Sequence, residues 1–234
     1  MRKKSKRYRE VASKVDTRLY DPKEAMTIIK ECTTAKFDES VELHFNLGID
    51  PRHAEQQIRG TFNLPHGTGK SVRVAAIVQP DLVKKVTEAG ADEVGSDDLV
   101  EKINGGWMNF DVLISTPEMM SKVGKLGKVL GARGLMPSPK SGTVIKDPEV
   151  AVKEFKAGKI EYRNDKLGLI HLVIGKGSFA LDKLVDNFMA IYDVIAKAKP
   201  GKSKGIYLKS VVLSTTMGPG VHLEPLKVRW KEGV

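Results

Sequence analysis

The change of strand style along this chain limits its fold more than any other feature. Residues 41–49 place Val41, Leu43, Phe45, Leu47 and Ile49 in alternation with Glu42, His44, Asn46 and Gly48. That period of two predicts a half-buried strand stopped by Pro51, and residues 57–65 (QIRGTFNLP) predict a second that ends at Pro65. From Val72 the pattern differs. VRVAAIV, ADEVG and FDVLIS are short and rather apolar, and they alternate with helices predicted over 81–89, over 97–104 and from Thr116-Pro117. Such alternation predicts βαβ units on a small parallel sheet. The last helix of this region, DPEVAVKEFKAG, takes Asp147 as cap and Pro148 in its first turn, and closes at Gly158. Beyond it come the strands KIEYR and LIHLVIG around the turn NDKLG, a long helix from Ser178 to Lys199, and two strands around GIYLKSVVLST and VHLEPLKV. These return to the antiparallel style of the N-terminal part, where residues 21–33 also predict a helix: Asp21 caps it, Pro22 opens it, and Ala25, Ile28, Ile29 and Cys32 form its apolar stripe.

The simplest architecture is a discontinuous domain built from residues 1–66 and 159–234, with an α/β domain of residues 67–158 inserted at a loop. Crossings near Pro65-His66 and Gly158-Lys159 would then form a double hinge. Charge supports this division. Of 39 Lys+Arg and 29 Asp+Glu, the central region holds 13 and 12, so +9 of the net +10 lies on the flanks. A chain of 234 residues with 41% hydrophobic residues can bury a real core, and its basic excess points to a polyanion, nucleic acid ahead of a membrane surface. No apolar run is long enough to span a bilayer, and the basic start MRKKSKRYREVASK has no apolar segment behind it, so neither an anchor nor a signal peptide is predicted. The single Cys32 fits a reducing cytoplasm.

No catalytic constellation is visible. HGTGKS, residues 66–71, ends like a phosphate loop, but Leu64 stands where that loop needs its first glycine and a strand follows where it needs a helix. GKGSF, residues 175–179, leads into a helix with Ser178 as its expected cap. His44, His53, His66, His171 and His222 show neither i,i+4 spacing nor cysteine company, so no metal is expected. His171 belongs to the polar face of its strand. A nucleoside-triphosphate or dinucleotide enzyme built on the central module is the alternative from a different class, and a general basic chaperone of unstructured RNA is a third. Three segments suit RNA instead: the arm with Arg2, Lys3, Lys4, Lys6, Arg7 and Arg9, the turn TTMGPG at 215–220, and LGARGLMPSPKSGTV at 130–144, which has two cations and no acid.

The segments VGKLGKVLGARGLMPSPKSGTV, STTMGP, KFDESVELHFNLGID, RGTFNLPHGTGK, GWMNFD and IEYRNDKLG resemble the bacterial ribosomal protein L-one family over nearly the whole chain. The resemblance implies the fold class α/β with two domains: a split α+β (βαββαβ-like) RNA-binding domain from both termini, and an inserted Rossmann-like, three-layer α/β domain. It implies a main RNA site of Lys36, Phe37, Ser40, Lys166, His171, Thr216, Met217 and Gly218, and a secondary contact through Lys128, Arg133 and Lys140. Lys36 and Lys166 would meet phosphates, Phe37 and Met217 would pack on ribose or base, and Ser40 and Thr216 would bond 2′-hydroxyls. Ser40 stands where the family has threonine, and Ala132 where it has proline. The implied role is non-catalytic, without cofactor or metal. The chain would bind ribosomal RNA at the mobile stalk of the large (50S) subunit, beside the site where tRNA exits, and would assist release of deacylated tRNA. It would also repress its own operon by binding the messenger RNA. The expected protein is cytoplasmic, has no membrane partner, and is a monomer when free.

Overall fold

The computed structural model describes residues 4–201, 203 and 205–225. Arg2 and Lys3 of the basic arm, and the end of the strand expected around VHLEPLKV, lie outside them. In chain order the elements are α1 (Lys6–Ala12), α2 (Pro22–Cys32), β1 (Ser40–Leu47), β2 (Arg59–Asn63), β3 (Val74–Ile77), α3 (Val83–Glu88), β4 (Glu93–Gly95), α4 (Asp97–Asn104), β5 (Val112–Ser115), α5 (Met120–Val123), α6 (Gly127–Ala132), α7 (Pro148–Ala157), β6 (Lys159–Arg163), β7 (Leu169–Lys176), α8 (Leu181–Lys197), β8 (Leu208–Thr215) and β9 (Gly220–Leu223). The chain divides into two compact units, one of residues up to Gly69 and from Tyr162 onward, the other of Lys70–Glu161.

The first unit carries a four-stranded sheet in the order β7-β1-β8-β9, antiparallel throughout, and β2 pairs with β6 in a separate two-stranded sheet. The alternation read from residues 41–49 becomes a physical division here. Val41, Leu43, Phe45 and Leu47 are buried, while Glu42, His44 and Asn46 face outward. Ile170, Leu172 and Ile174 of β7 and Val211 and Leu213 of β8 continue the apolar face. It is covered by α2 through Ala25, Met26, Ile29 and Cys32, and by α8 through Leu184, Phe188, Ile191, Tyr192 and Ile195. Each such large side chain removed from water is worth about 1.5–3 kcal/mol. Asp21 caps α2 as expected, its carboxylate accepting the Lys23 amide.

The second unit is an α/β/α sandwich on the parallel sheet β4-β3-β5. Every residue of β3 is buried, because Ala75 and Ile77 face one cluster with Leu99, Ile103, Leu113 and Leu126, while Val74 and Ala76 face another with Val86, Ile114, Val152 and Phe155. Three local expectations change. The helix expected from Thr116-Pro117 is a series of short α and 3-10 turns ending at Ala132, because Gly124, Gly127 and Gly131 interrupt a sequence of modest helix propensity. Asp147 precedes α7 without a capping hydrogen bond from its side chain. In the first unit the long helix starts at Leu181 rather than Ser178, because the Ser178 amide and hydroxyl are held by the Asp38 carboxylate at 3.1 and 2.8 Å.

The chain's exit from the first unit is held by one buried amide. Asn187 of α8 is fully buried; its Oδ1 accepts the His66 amide at 3.0 Å, and its Nδ2 donates to the carbonyls of Gly67 (3.0 Å) and Ile174 (2.7 Å). Gly69 follows at φ 73°, and a side chain there would run into Phe179 and Lys176. Asn187→Ala leaves those backbone groups without their partner and is expected to lower unfolding free energy by about 2–4 kcal/mol. Denaturant unfolding checks this, and an unchanged midpoint would contradict it.

Candidate nucleic-acid interface

One end of the four-stranded sheet collects most of the residues expected to touch RNA. Ser40 opens β1, Thr216 follows β8, and Lys176 ends β7 as the cross-strand partner of Ser40. The Ser40 amide donates to Thr216 Oγ1 (3.0 Å), the Thr216 amide donates to the Ser40 carbonyl (3.1 Å), and Lys176 Nζ donates to Ser40 Oγ (2.9 Å). Lys36 and Phe37 protrude from the loop before β1, and Met217 from the turn after β8; Phe37 is 54% exposed and Met217 48%. Large apolar side chains held this far in water on adjacent loops are available to pack against a flat partner.

The loops are held by Glu39, a residue that sequence reading passed over. It is buried, and it joins both loops: Oε1 accepts the amides of Thr34 (3.0 Å) and Ala35 (2.8 Å), and Oε2 accepts that of Met217 (2.9 Å). Its carbonyl also accepts the Gly177 amide at 2.8 Å, bringing the end of β7 into the same junction. Burial alone would raise its pKa, but the hydrogen-bonding groups around it, the amides of Ala35 and Met217 foremost, outweigh this and hold it below the usual carboxylate value. Gly218 completes the turn because a Cβ at that position would overlap the Thr215 hydroxyl. The backbone there therefore stays bare for a ligand.

His171 lies elsewhere on the same polar face. It pairs with His44 across β7 and β1, their Nδ1 atoms 2.8 Å apart, while His44 Nε2 meets Ser214 Oγ at 2.9 Å. Four residues of β1 separate this pair from Ser40, roughly 13 Å. Burial, and then the neighbouring His171, hold His44 below the ordinary imidazole value, with Glu42 opposing. Lys166 is not brought to the site. It precedes β7 at the opposite end of the sheet, with the length of β1, roughly 23 Å, between it and Ser40. Lys176 is the cation that the structure places beside Ser40, and the strict pairing of two long strands is the signal that could have located it.

In the second unit, Lys128, Arg133 and Lys140 are exposed and form no ion pair among the described residues, whereas Lys122 pairs with Asp97 at 2.6 Å. The glycine- and proline-rich stretch that carries Arg133 and Lys140 has a fixed geometry. The Ser138 amide donates to Thr143 Oγ1 (2.8 Å), Ser141 Oγ donates to the Ser138 carbonyl (3.0 Å), and the Ser115 amide donates to the Thr143 carbonyl (2.9 Å). Leu130 is buried below it, and Leu135 and Met136 pack on the same cluster. Lys70 of HGTGKS donates to Asp111 at 2.8 Å and holds that carboxyl down at about 2, with Arg73 helping. Its ammonium is thereby used in the fold. Among the described residues no group of three or more His, Cys, Asp or Glu could hold a metal ion, and no helix is long and apolar enough to cross a membrane.

Glu39→Gln puts an amide NH2 against a backbone N–H and is expected to cost about 2 kcal/mol. The carboxylate's native pKa is lowered, so its contribution is present above the unfolded value near about 4.3 and is lost as pH falls through the native value. Unfolding measured from pH 6 downward, with pH values chosen at about 4.3 and below, should therefore show an acid loss in the parent that the Gln variant lacks. Equal acid sensitivity of the two would contradict this role.

Residues 29–219 match the family described as Ribosomal protein L1p/L10e family. The chain is 54% identical over 230 residues to the large ribosomal subunit protein uL1 of Macrococcus caseolyticus, covering 98% of this chain and 100% of that one. It is 55% identical over 229 residues to the large ribosomal subunit protein uL1 of Lactobacillus gasseri, covering 97% and 100%. Long, nearly end-to-end identity of this kind, on a two-unit α/β fold, settles the membership: the chain belongs to the ribosomal protein L1p/L10e family.

Proposed function

We propose that this protein of the large ribosomal subunit recognises ribosomal RNA of the mobile stalk through the junction organised by Glu39. The observation that carries the reading is the gathering of Lys36, Phe37, Ser40, Lys176, Thr216, Met217 and Gly218 at one end of the sheet, on loops that a single buried carboxylate joins. The chemistry suits folded RNA, which offers shape, 2′-hydroxyls and unstacked bases rather than a readable major groove. The Ser40 and Thr216 hydroxyls bond sugar oxygens, Phe37 and Met217 pack on ribose or base, and Lys36 and Lys176 meet phosphates. Affinity comes mainly from the cations and specificity from the small, fixed patch of hydroxyls and open backbone. His171 adds a contact farther along the polar face.

At the exit side of the ribosome such a protein assists the departure of deacylated tRNA. The same surface would bind a messenger RNA that reproduces the ribosomal site, and so repress its own operon. The fixed basic stretch of the second unit supplies a secondary contact through Lys128, Arg133 and Lys140, supported by their exposure and their freedom from ion pairs among the described residues. The two units, joined at the crossings near residues 66–69 and 158–161, act as a double hinge in this reading.

Titration with a folded stalk fragment of large-subunit ribosomal RNA, against excess random RNA at about 0.15 M salt, tests the main site. Binding should survive the competitor, and Met217→Asp should weaken it at least about a hundredfold by placing a charge against the RNA. Binding lost equally to any RNA, or unaffected by Met217→Asp, would refute the reading. Arg133→Ala with Lys140→Ala should weaken binding to a long stalk RNA severalfold, and unchanged affinity would remove the secondary contact.

A further inference from the structure

Leu167 and Ile206 are the two most exposed large apolar side chains among the described residues, at 76% and 77%. Both lie at the end of the sheet away from Met217. β7 and β8 run antiparallel to β1 on either side of it, so both begin where β1 ends, and Leu167 and Ile206 each stand two residues before those strands. Strands two apart place them roughly 10 Å from one another.

Neither residue rides on a loose loop. The Asp165 carboxylate accepts the amides of Leu167 and Leu169, both at 2.8 Å, and the Leu47 amide donates to the Gly168 carbonyl at 3.1 Å. On the other side, the Gly48 amide donates to the Tyr207 carbonyl at 2.6 Å, the buried Tyr207 hydroxyl donates to the Ile195 carbonyl at 2.9 Å, and the Ile206 carbonyl packs where a Gly48 side chain would be. The chain thus spends hydrogen bonds and a glycine to fix two aliphatic side chains in water. Lys166 and Lys209 flank them, exposed and with no carboxylate partner among the described residues; the Lys209 side chain passes beside Gly48. The one acid of the first turn, Asp165, is engaged by its own backbone.

A single exposed aliphatic side chain is ordinary, but two on hydrogen-bonded turns that also carry exposed, unpaired lysines match a ligand that is anionic and has flat or aliphatic faces. We infer that this end of the sheet is a second RNA-contact surface: Lys209 meets phosphate beside Lys166, whose phosphate contact the family resemblance already implies, and Leu167 and Ile206 pack on ribose or an unstacked base. The inference rests on the RNA-binding reading above and gives that reading a length. One folded RNA would lie along the polar face, past His44 and His171, and touch both ends across roughly 23 Å.

The test uses the full chain and two probes, the folded stalk fragment and a shortened fragment that still shows Met217-dependent binding. Leu167→Ser with Ile206→Ser, and separately Lys166→Ala with Lys209→Ala, are compared with the parent, and thermal unfolding confirms that each is folded. On the longer RNA each pair is expected to weaken binding about tenfold, and the lysine pair to reduce the slope of log affinity against log salt by about 2. On the shortened RNA both pairs should match the parent. Parent-like affinity and slope on the longer RNA would overturn the inference. So would parent-like RNA binding with altered self-association or altered capture of a protein of the large subunit, since the surface would then serve a protein partner. Failure of the parent itself to prefer the stalk fragment would instead strike the underlying RNA-binding reading.

Discussion

A carboxylate taken out of water stays charged only if the protein replaces the lost hydration. At Glu39 the replacement is three backbone amides from two loops that are far apart in sequence, at Thr34, Ala35 and Met217. This couples two facts that would otherwise be separate. The charge cannot be buried unless both loops close on it, and the charge in turn ties the two loops to each other. Phe37 and Met217 can therefore be exposed and still fixed, since their backbones are tied while their side chains remain free to meet a partner. Preorganisation of this kind spares a binding surface the entropy of ordering two loops when the ligand arrives.

The sheet extends the same logic over distance. Strict alternation in β1 gives a buried face that pins the sheet to α2 and α8 and an outer face of Glu42, His44 and Asn46 that owes nothing to the core. Rigid strands then set the separation of whatever binds at their ends. The aliphatic pair Leu167 and Ile206 near Gly48 and the apolar pair Phe37 and Met217 near Ser40 stand roughly the length of β1 apart, a spacing that a structured RNA can match and a random one matches only by chance.

Much of this was legible in the sequence, for reasons that are physical. The period of two in residues 41–49, the capped start at Asp21-Pro22 and the apolar run at 72–78 each follow from a single local constraint, and each became the expected element. What was not legible depended on tertiary pairing. Lys166 lies close in sequence to a strand that reaches the site, but the antiparallel register carries the other end of that strand, Lys176, to Ser40. Glu39 looked like an ordinary acid before a strand, because nothing local announces that amides 4, 5 and 178 residues away will converge on it. Ser178 looked like a helix cap until Asp38, 140 residues distant, claimed its amide. The stretch 130–144 looked irregular, and only the hydroxyl network of Ser138, Ser141 and Thr143 explains why irregular sequence gives a fixed shape.

The central claim is that RNA recognition resides at the Glu39-organised end of the sheet. A photoreactive residue placed at position 217 in protein assembled into the large subunit would test it most directly, with the same residue at the exposed position 150 as reference. The account predicts a cross-link from position 217 to stalk RNA that is much stronger than any from position 150. A cross-link from position 217 only to protein, or RNA labelling no greater than from position 150, would contradict it.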